Sequence, residues 1–519
     1  MFMSRKTRAG LVGLIVAAGL SVPVSGPNAQ DANTLGRDLD AILAAPSLIG
    51  SDVGLVVRKA DTGEVLYTSQ SGRRRQPASN GKLLTTAAAL DTLGADHRFH
   101  TTVEAAGTRA GATLRGDLYL RGGGDPTMLA SDYDALAAQV ASAGVTEVAG
   151  TLVADDTYFD NVRLGTGWAW DDEPYSYNAQ TSALTISPDS DYDPGAIIVR
   201  VKPGAQGGPA GVELVPPNSY VKVVNTATTT AAGGSTAISV DRVHGGNTFT
   251  VSGSMPVGAA AKSSYLAVWE PTGLAASVFR DALARHGVKV NGDNKSGPTP
   301  PGTAVVAQRD SITVGELLTP FLKLSNNMHA EVLVKTAGKQ VTGNGTWSSG
   351  ISSLEKDFPS LGVNPATLLL VDGSGLSRMD EVSPDQVSSA LLAARGKPWF
   401  TQFYQALPVA GVADRLVGGT LRSRMAGTAA QGKVHAKTGS YTGASALSGY
   451  VTAADGEELV FSMITNQAIG SPRSIEDAVG VRLAQYNGAA DVSRPMPSIQ
   501  ARTAEVPGDQ RECSWLKAC

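Results

Sequence analysis

Residues 76–94 read Q-P-A-S-N-G-K-L-L-T-T-A-A-A-L-D-T-L-G. The alanine- and leucine-rich run predicts a helix, with Ser79 near its start and Gly94 available as its stop. Upstream, V-G-L-V-V-R-K-A-D-T-G-E-V-L-Y-T-S (53–69) alternates apolar and polar residues around Asp61-Thr62-Gly63, the pattern of two strands joined by a tight turn. Far downstream, the text from 444 to 466 forms a second hairpin around A-D-G-E-E. Helical periodicity runs over 311–338 and again over 384–395. Strands, helices and a closing hairpin predict an α/β (α+β) domain, an antiparallel sheet flanked by helices.

Between about 100 and 295 the character changes. Thr, Val, Gly and Pro dominate, with short strand-like runs at 117–121, 196–201 and 220–224 and one helical stretch from Ala135 to Ser142. This predicts inserted, largely β modules. The expected division is a segment 1–29 to be removed; a discontinuous main domain, 30–105 and 290–490; one β-rich insert, 106–128 and 185–289; a second small insert, 129–184; and a tail, 491–519.

The chain has 519 residues, 42% hydrophobic and 17% charged, with a net charge of −4. The apolar fraction excludes a disordered chain. The near-balance of charge, with no zinc-finger or RNA-binding signature, speaks against a nucleic-acid partner. Arg5, Lys6 and Arg8 precede an apolar run from Leu11 to Val24, with a cleavage site expected after Ala29. That is the pattern of a secretory signal peptide, so the mature protein is expected outside the cytoplasm, in the periplasm or at the wall. Cys513 and Cys519, six positions apart near the end, could close a small loop there. No metal or other cofactor is expected. The six histidines are scattered, H-E-x-x-H is absent, and His329-Ala330-Glu331 reads as part of a helix face.

Three short patterns carry chemistry: Ser79-Asn80-Gly81-Lys82, Ser325-Asn326-Asn327 and Lys437-Thr438-Gly439-Ser440. Each is weak alone; Ser-x-x-Lys also occurs at Ser219/Lys222, Ser353/Lys356 and Ser514/Lys517. Placement separates them. Ser79 opens an apolar helix, which sets Lys82 one turn on and on the same face. Lys437-Thr438-Gly439 precedes the closing hairpin, where glycine allows close backbone approach. Acyl transfer needs a hydroxyl with a base beside it. Ser79 fits the nucleophile and Lys82 the base, provided that burial and a second cation, Lys437, lower its pKa. Ser325 could relay a proton between the lysines, and Asn327 could both donate to and accept from a substrate amide. Lys437, Thr438 and Ser440 supply charge and hydroxyls for a carboxylate. The backbone N–H groups of Ser79 and Ser440 are the expected oxyanion hole.

These residues resemble the penicillin-recognising serine hydrolases, with Asn326 where the second motif usually has Asp. L-R-G-G-G-D-P-T (120–127), L-S-N-N-M-H-A-E, V-D-G-S-G-L-S-R (371–378) and A-K-T-G-S narrow the resemblance to the D-alanyl-D-alanine carboxypeptidase/endopeptidase family, the class C low-molecular-mass penicillin-binding proteins. The resemblance implies a transpeptidase/β-lactamase-like domain interrupted by two inserted, largely β domains. It implies cleavage of D-Ala-D-Ala in peptidoglycan stem peptides, and of D-Ala to meso-diaminopimelate cross-links, through a Ser79 acyl-enzyme that β-lactams also form. It further implies a grip on the diaminopimelate side chain by Asp172 and Tyr177 of W-A-W-D-D-E-P-Y-S-Y and by Arg378, with Ser374 of D-G-S-G also substrate-binding. Three alternatives stand beside it: a serine β-lactamase, a non-catalytic β-lactam sensor and a cell-wall-binding protein. A Ser-His-Asp hydrolase has no G-x-S-x-G elbow here to support it.

Overall fold

The structure, a computed structural model, describes residues 34–488 and Asp491. The expected signal peptide and the Cys513/Cys519 pair lie outside the described residues, as does the tail beyond Asp491.

The main sheet joins the two ends of the chain. Strands β1 (Asp52–Lys59) and β2 (Val65–Ser69) form the first hairpin, and β3 (Val434–Tyr441), β4 (Ala444–Thr452) and β5 (Glu458–Asn466) form the closing meander. The order is β3-β4-β5-β1-β2, all antiparallel, so β3 is an edge strand. The helices around it include α1 (Thr34–Leu43), α2 (Gly81–Leu93), α3 (Val314–Leu324), α4 (Asn327–Thr342), α5 (Trp347–Leu354), α6 (Pro384–Ala394) and α7 (Arg473–Ala484). Alternation along β5 serves both faces. Val460 and Ile464 pack in the core that holds α2, α3, α4 and α6, while Leu459, Phe461 and Met463 pack with α1 and α7. A sheet covered on both faces explains why L-V-F-S-M-I is nearly all apolar.

Helix α2 is buried from Gly81 to Leu90, Lys82 included, so it runs through the centre of its core rather than along a surface. Gly94, at φ +84°, ends it as expected. The periodic stretch 311–338 is not one helix. A strand continues to Thr313, a Thr313/Glu316 capping box starts α3, and Ser325 in the left-handed region (φ 59°, ψ 35°) stops it. Helix α4 then starts afresh, with the Asn326 side chain accepting from the His329 N–H.

The insert mixes parallel and antiparallel strand pairs. Residues 118–122 and 152–155 run parallel with the helix Ala130–Ser142 between them, and 295–296 adds beside 152–155 after the helix Pro271–Arg285. Parallel neighbours need such crossovers. This sheet also takes in Arg98–Ala105 and Ala304–Thr313, so the expected boundaries at 105 and 290 cut through it. Nor do residues 129–184 stand apart. Tyr133, Leu136 and Val140 share one core with Val103, Val199, Phe249 and Ala307. Hairpin signals and composition cannot reveal strands that pair across more than a hundred residues. Three further sheets in the same region hold 196–202, 211–215 and 262–267; 222–225, 228–230, 237–242 and 248–256; and 108–110, 113–115, 147–148 and 289–290. No helix among the described residues is long and apolar enough to cross a membrane.

Candidate active site

The three motifs meet between the start of α2, the turn between α3 and α4, and edge strand β3. Ser79 lies in a 3-10 turn, Ala78–Asn80, that leads into α2. The residue before it, Ala78, holds φ +46°, a conformation that costs about 1–3 kcal/mol and persists only where surroundings enforce it. The enforcing neighbour is Gly375: a Cβ there would lie 1.8 Å from the Ala78 carbonyl oxygen, so only glycine lets this loop press against the turn. Ser325 is the second left-handed non-glycine residue of the site.

Lys82 is wholly buried and donates from Nζ to Ser79 Oγ (2.9 Å), Asn327 Oδ1 (2.6 Å) and the Ser374 carbonyl (2.8 Å). Three acceptors match the three protons of an ammonium. Without them, burying that charge would cost several kcal/mol. Lys437, also wholly buried, donates to Ser325 Oγ (2.7 Å) and to the Thr438 carbonyl (2.7 Å). The Asn80 side chain donates to the Lys437 carbonyl at 3.0 Å and ties β3 to the Ser79 turn. Gly439 makes the approach possible: a Cβ there would sit 2.9 Å from Ser79 N and 3.0 Å from the Pro77 carbonyl. The Thr438 hydroxyl donates to Thr420 Oγ1 (2.7 Å), and Ser440 Oγ accepts from Arg473 Nη2 (3.2 Å).

The W-A-W-D-D-E loop reaches the same place. Asn327 Nδ2 donates to the Tyr177 carbonyl (2.8 Å), and the Tyr177 hydroxyl donates to Asp172 Oδ1 (2.6 Å). Arg378 is exposed. Its guanidinium lies 5.2 Å from the centroid of the Tyr441 ring, within cation–π range, and its backbone N–H points to the Gly167 carbonyl. No direct contact joins Arg378 to Asp172 among the described bonds. Ser374, expected to bind substrate, is wholly buried. Its hydroxyl accepts from the Leu376 N–H within its own loop, and only its carbonyl, on Lys82, touches the motifs.

The support beneath this constellation was not read from the sequence. Glu331, assigned there to a helix face, accepts from the backbone N–H groups of Gly373 and Ser374, both at 2.9 Å, and from Trp347 Nε1 at 2.7 Å. It thereby holds the loop whose carbonyl grips Lys82. Burial, and next the nearby Asp372, push its carboxyl up to about 7. Asp372 caps the loop by accepting from the Gly375 N–H at Oδ1 and the Ser377 N–H at Oδ2, and Oδ2 also accepts from the indole N–H of Trp168 (2.8 Å). Asp380 is raised well above the ordinary carboxylate range by burial and by Asp372. Asn326 departs from the usual Asp for a visible reason: its Nδ2 donates to the Tyr192 carbonyl and to Asp193 Oδ1, both at 2.9 Å, which a carboxylate could not do. Glu331 lies one helical turn from Asn327 and Asp372 opens the quoted D-G-S-G, the only sequence hints to either.

Chemically, the arrangement can attack an acyl carbon from Ser79, move protons through two buried lysines and a second serine, and seat an extended peptide along edge strand β3.

The chain is 46% identical over 493 residues to the D-alanyl-D-alanine carboxypeptidase of Actinomadura sp. (strain R39), covering 93% of this chain and 90% of that protein. Its fold is like that of penicillin binding protein 4 (dacB) from Haemophilus influenzae, with TM-score 0.73 and 23% identity over 88% of this chain and all of that one. A structure of the same protein complexed with a novel beta-lactam gives TM-score 0.68 at 21% identity, over 86% of this chain and 98% of that one. The sequence pattern of the D-Ala-D-Ala carboxypeptidase 3 (S13) family matches residues 35–486, which hold all three motifs and the insert between the first two; the chain belongs to that family.

Proposed function

We propose that the protein is a serine DD-peptidase that cleaves the D-Ala-D-Ala bond of peptidoglycan stem peptides through a Ser79 acyl-enzyme. The observation that carries this reading is Lys82, buried and hydrogen-bonded at once to Ser79 Oγ and Asn327 Oδ1. Attack requires Lys82 as the amine: the ammonium gives the proton it directs at Ser79 Oγ to solvent, and the freed lone pair then faces that hydroxyl. As Ser79 Oγ bonds to the penultimate carbonyl carbon, its proton passes to Lys82. The backbone N–H groups of Ser79 and Ser440 hold the oxyanion. The C–N bond then breaks. The leaving D-alanine amine takes the proton that Lys82 gained, relayed through Ser325, which returns Lys82 to the amine, while Lys437, Thr438 and Ser440 hold the D-alanine carboxylate. Water attacks the ester as Lys82 accepts its proton; the acyl C–Oγ bond then breaks, and Lys82 returns that proton to Ser79 Oγ.

Asp172, Tyr177 and Arg378 form the wall for a diaminopimelyl side chain on the acyl side. The same wall admits D-Ala–diaminopimelate cross-links, so the protein acts as endopeptidase as well as carboxypeptidase. β-Lactams acylate Ser79 by the same attack. Stem peptides lie outside the cytoplasmic membrane, which fits the signal peptide read at 1–29.

A fluorescent penicillin, followed by mass spectrometry of the labelled peptide, tests this directly. Label on Ser79 that decays slowly supports the peptidase. Rapid loss of the label would make the protein a β-lactamase. Labelling without hydrolysis of a D-Ala-D-Ala peptide would leave a β-lactam sensor, and no label at all would favour a cell-wall-binding protein.

A further inference from the structure

The insert does more in this fold than extend the chain. The loop that carries Asp172 and Tyr177 is clamped from the side away from the motifs. Glu173, next to Asp172, is buried and pairs through Oε1 with the guanidinium of Arg242, which is itself only 3% exposed. Arg242 Nη2 also donates to the Glu173 carbonyl (2.9 Å), and Nη1 donates to the Gly246 carbonyl (2.7 Å). Arg242 ends the insert strand Ala237–Arg242, opposite Phe249 in the insert core. Beyond that strand, His244 Nδ1 lies 2.8 Å from Glu173 Oε2, and its ring lies 5.0 Å from that of the exposed Trp170. Farther along the loop, the Ala267 N–H donates to the Pro174 carbonyl (2.9 Å), and Tyr175 bridges to Leu266.

A continuous path follows. The insert holds Glu173 through Arg242; the loop holds Tyr177 and Asp172 against each other; and Tyr177 touches Asn327, which touches Lys82. We infer that Glu173 and Arg242 are positioning residues through which the inserted β region sets side-chain selectivity, by fixing the Asp172–Tyr177 wall. This rests on the reading of that wall as the diaminopimelyl grip. The pair is a poor candidate for stability alone. A buried ion pair gains little over apolar packing, yet breaking one partner strands the other charge and displaces what it held. Selectivity depends on placement within about an ångström, and such shifts cost about a hundredfold.

The test compares three substrates in the full-length mature protein. One is a D-Ala-D-Ala peptide whose preceding side chain ends in a free ammonium and carboxylate. The second is the same peptide with an uncharged alkyl side chain, and the third is benzylpenicillin, which has no such side chain. Arg242→Met is expected to raise KM for the first peptide about tenfold while kcat stays within about threefold. Hydrolysis of the alkyl peptide and acylation by penicillin should change less than about threefold, which also reports an intact fold. Glu173→Gln keeps the shape and a hydrogen bond and should give a smaller shift in the same direction. Equal losses on all three substrates in Glu173→Gln, or unchanged selectivity in both variants, would overturn the inference. A wild type indifferent to the charged side chain would instead overturn the wall itself, and the inference with it.

Discussion

Ser79 and Ser325 stand at matching places and meet their lysines by different routes. Each lies just ahead of a helix, beside or in a left-handed residue, with a buried lysine on its hydroxyl. For Ser79 the partner is three residues on, delivered by the pitch of α2. For Ser325 it is Lys437, brought by the edge strand of a sheet that closes only when both chain ends pair. The first pair is local and survives as long as one helix turn does; the second exists only in the assembled domain. A third serine sharpens the point. Ser353 has a lysine at the same spacing, but it lies at the end of α5, its hydroxyl donates to the Ser349 carbonyl, and Lys356 is exposed. Spacing alone made Ser353 and Ser79 equal. The neighbours of the lysine made them different.

The comparison can be broken most sharply at Ser79, the proposed nucleophile. Ser79→Ala should abolish penicillin labelling and lower peptidase kcat by a factor on the order of 10⁴–10⁶. Ser353→Ala should leave both within about twofold, as measured by gel fluorescence and D-alanine release. Equal losses in the two would mean that the spacing, and not the placement, mattered.

The Ser325 turn depends on tertiary packing, and its pH response should show it. His329, wholly buried in the first turn of α4, donates from Nε2 to the Tyr192 carbonyl (2.6 Å), and burial lowers its pKa to about 3. Its folded pKa is thus depressed below the ordinary 6.5. Its contribution is complete above pH 6.5 and is lost as pH falls toward 3, because the unfolded chain binds the proton first. The span corresponds to roughly 5 kcal/mol. Glu331 and Asp380, with raised pKa values, act in the opposite direction over this range, so the His329 contribution is read as a difference: in urea denaturation between pH 7 and 4 the parent should lose stability relative to His329→Gln as the pH falls.

A smaller effect probes where the two turns touch. Gly439→Ala places a Cβ 2.9 Å from Ser79 N, so β3 must retreat from Ser79. Acylation by penicillin should slow about a hundredfold while the melting temperature changes little. The least change comes from making the second motif conventional. Asn326→Asp replaces a donor to Tyr192 and Asp193 with a carboxylate facing both, and should cost about 2 kcal/mol in thermal unfolding. An Asn326→Asp protein as stable as the parent would show that those two bonds do not matter.

Much of this was legible beforehand. Apolar alternation marked β1 and β2, the alanine-rich run marked α2, and order and spacing picked three motifs from several copies. What went unread has a common cause. The break at Ser325 is one residue in a left-handed conformation inside an unbroken helical period. The extent of the insert depends on Arg98–Ala105 pairing with residues some two hundred positions away. Glu331 looked like any acid on a helix until the Gly373–Ser374 backbone turned toward it.

The amino-acid sequence by itself determined the elements and the local partnership of Ser79 with Lys82, because helix periodicity and strand alternation act over a few residues and leave their mark in the text. Only the tertiary structure decided which serine–lysine pair is enclosed, that Lys437 serves Ser325, and that the insert grips the Asp172 loop through Arg242. Those outcomes depend on burial and on acceptors placed by distant backbone, and neither is encoded at any fixed spacing along the chain.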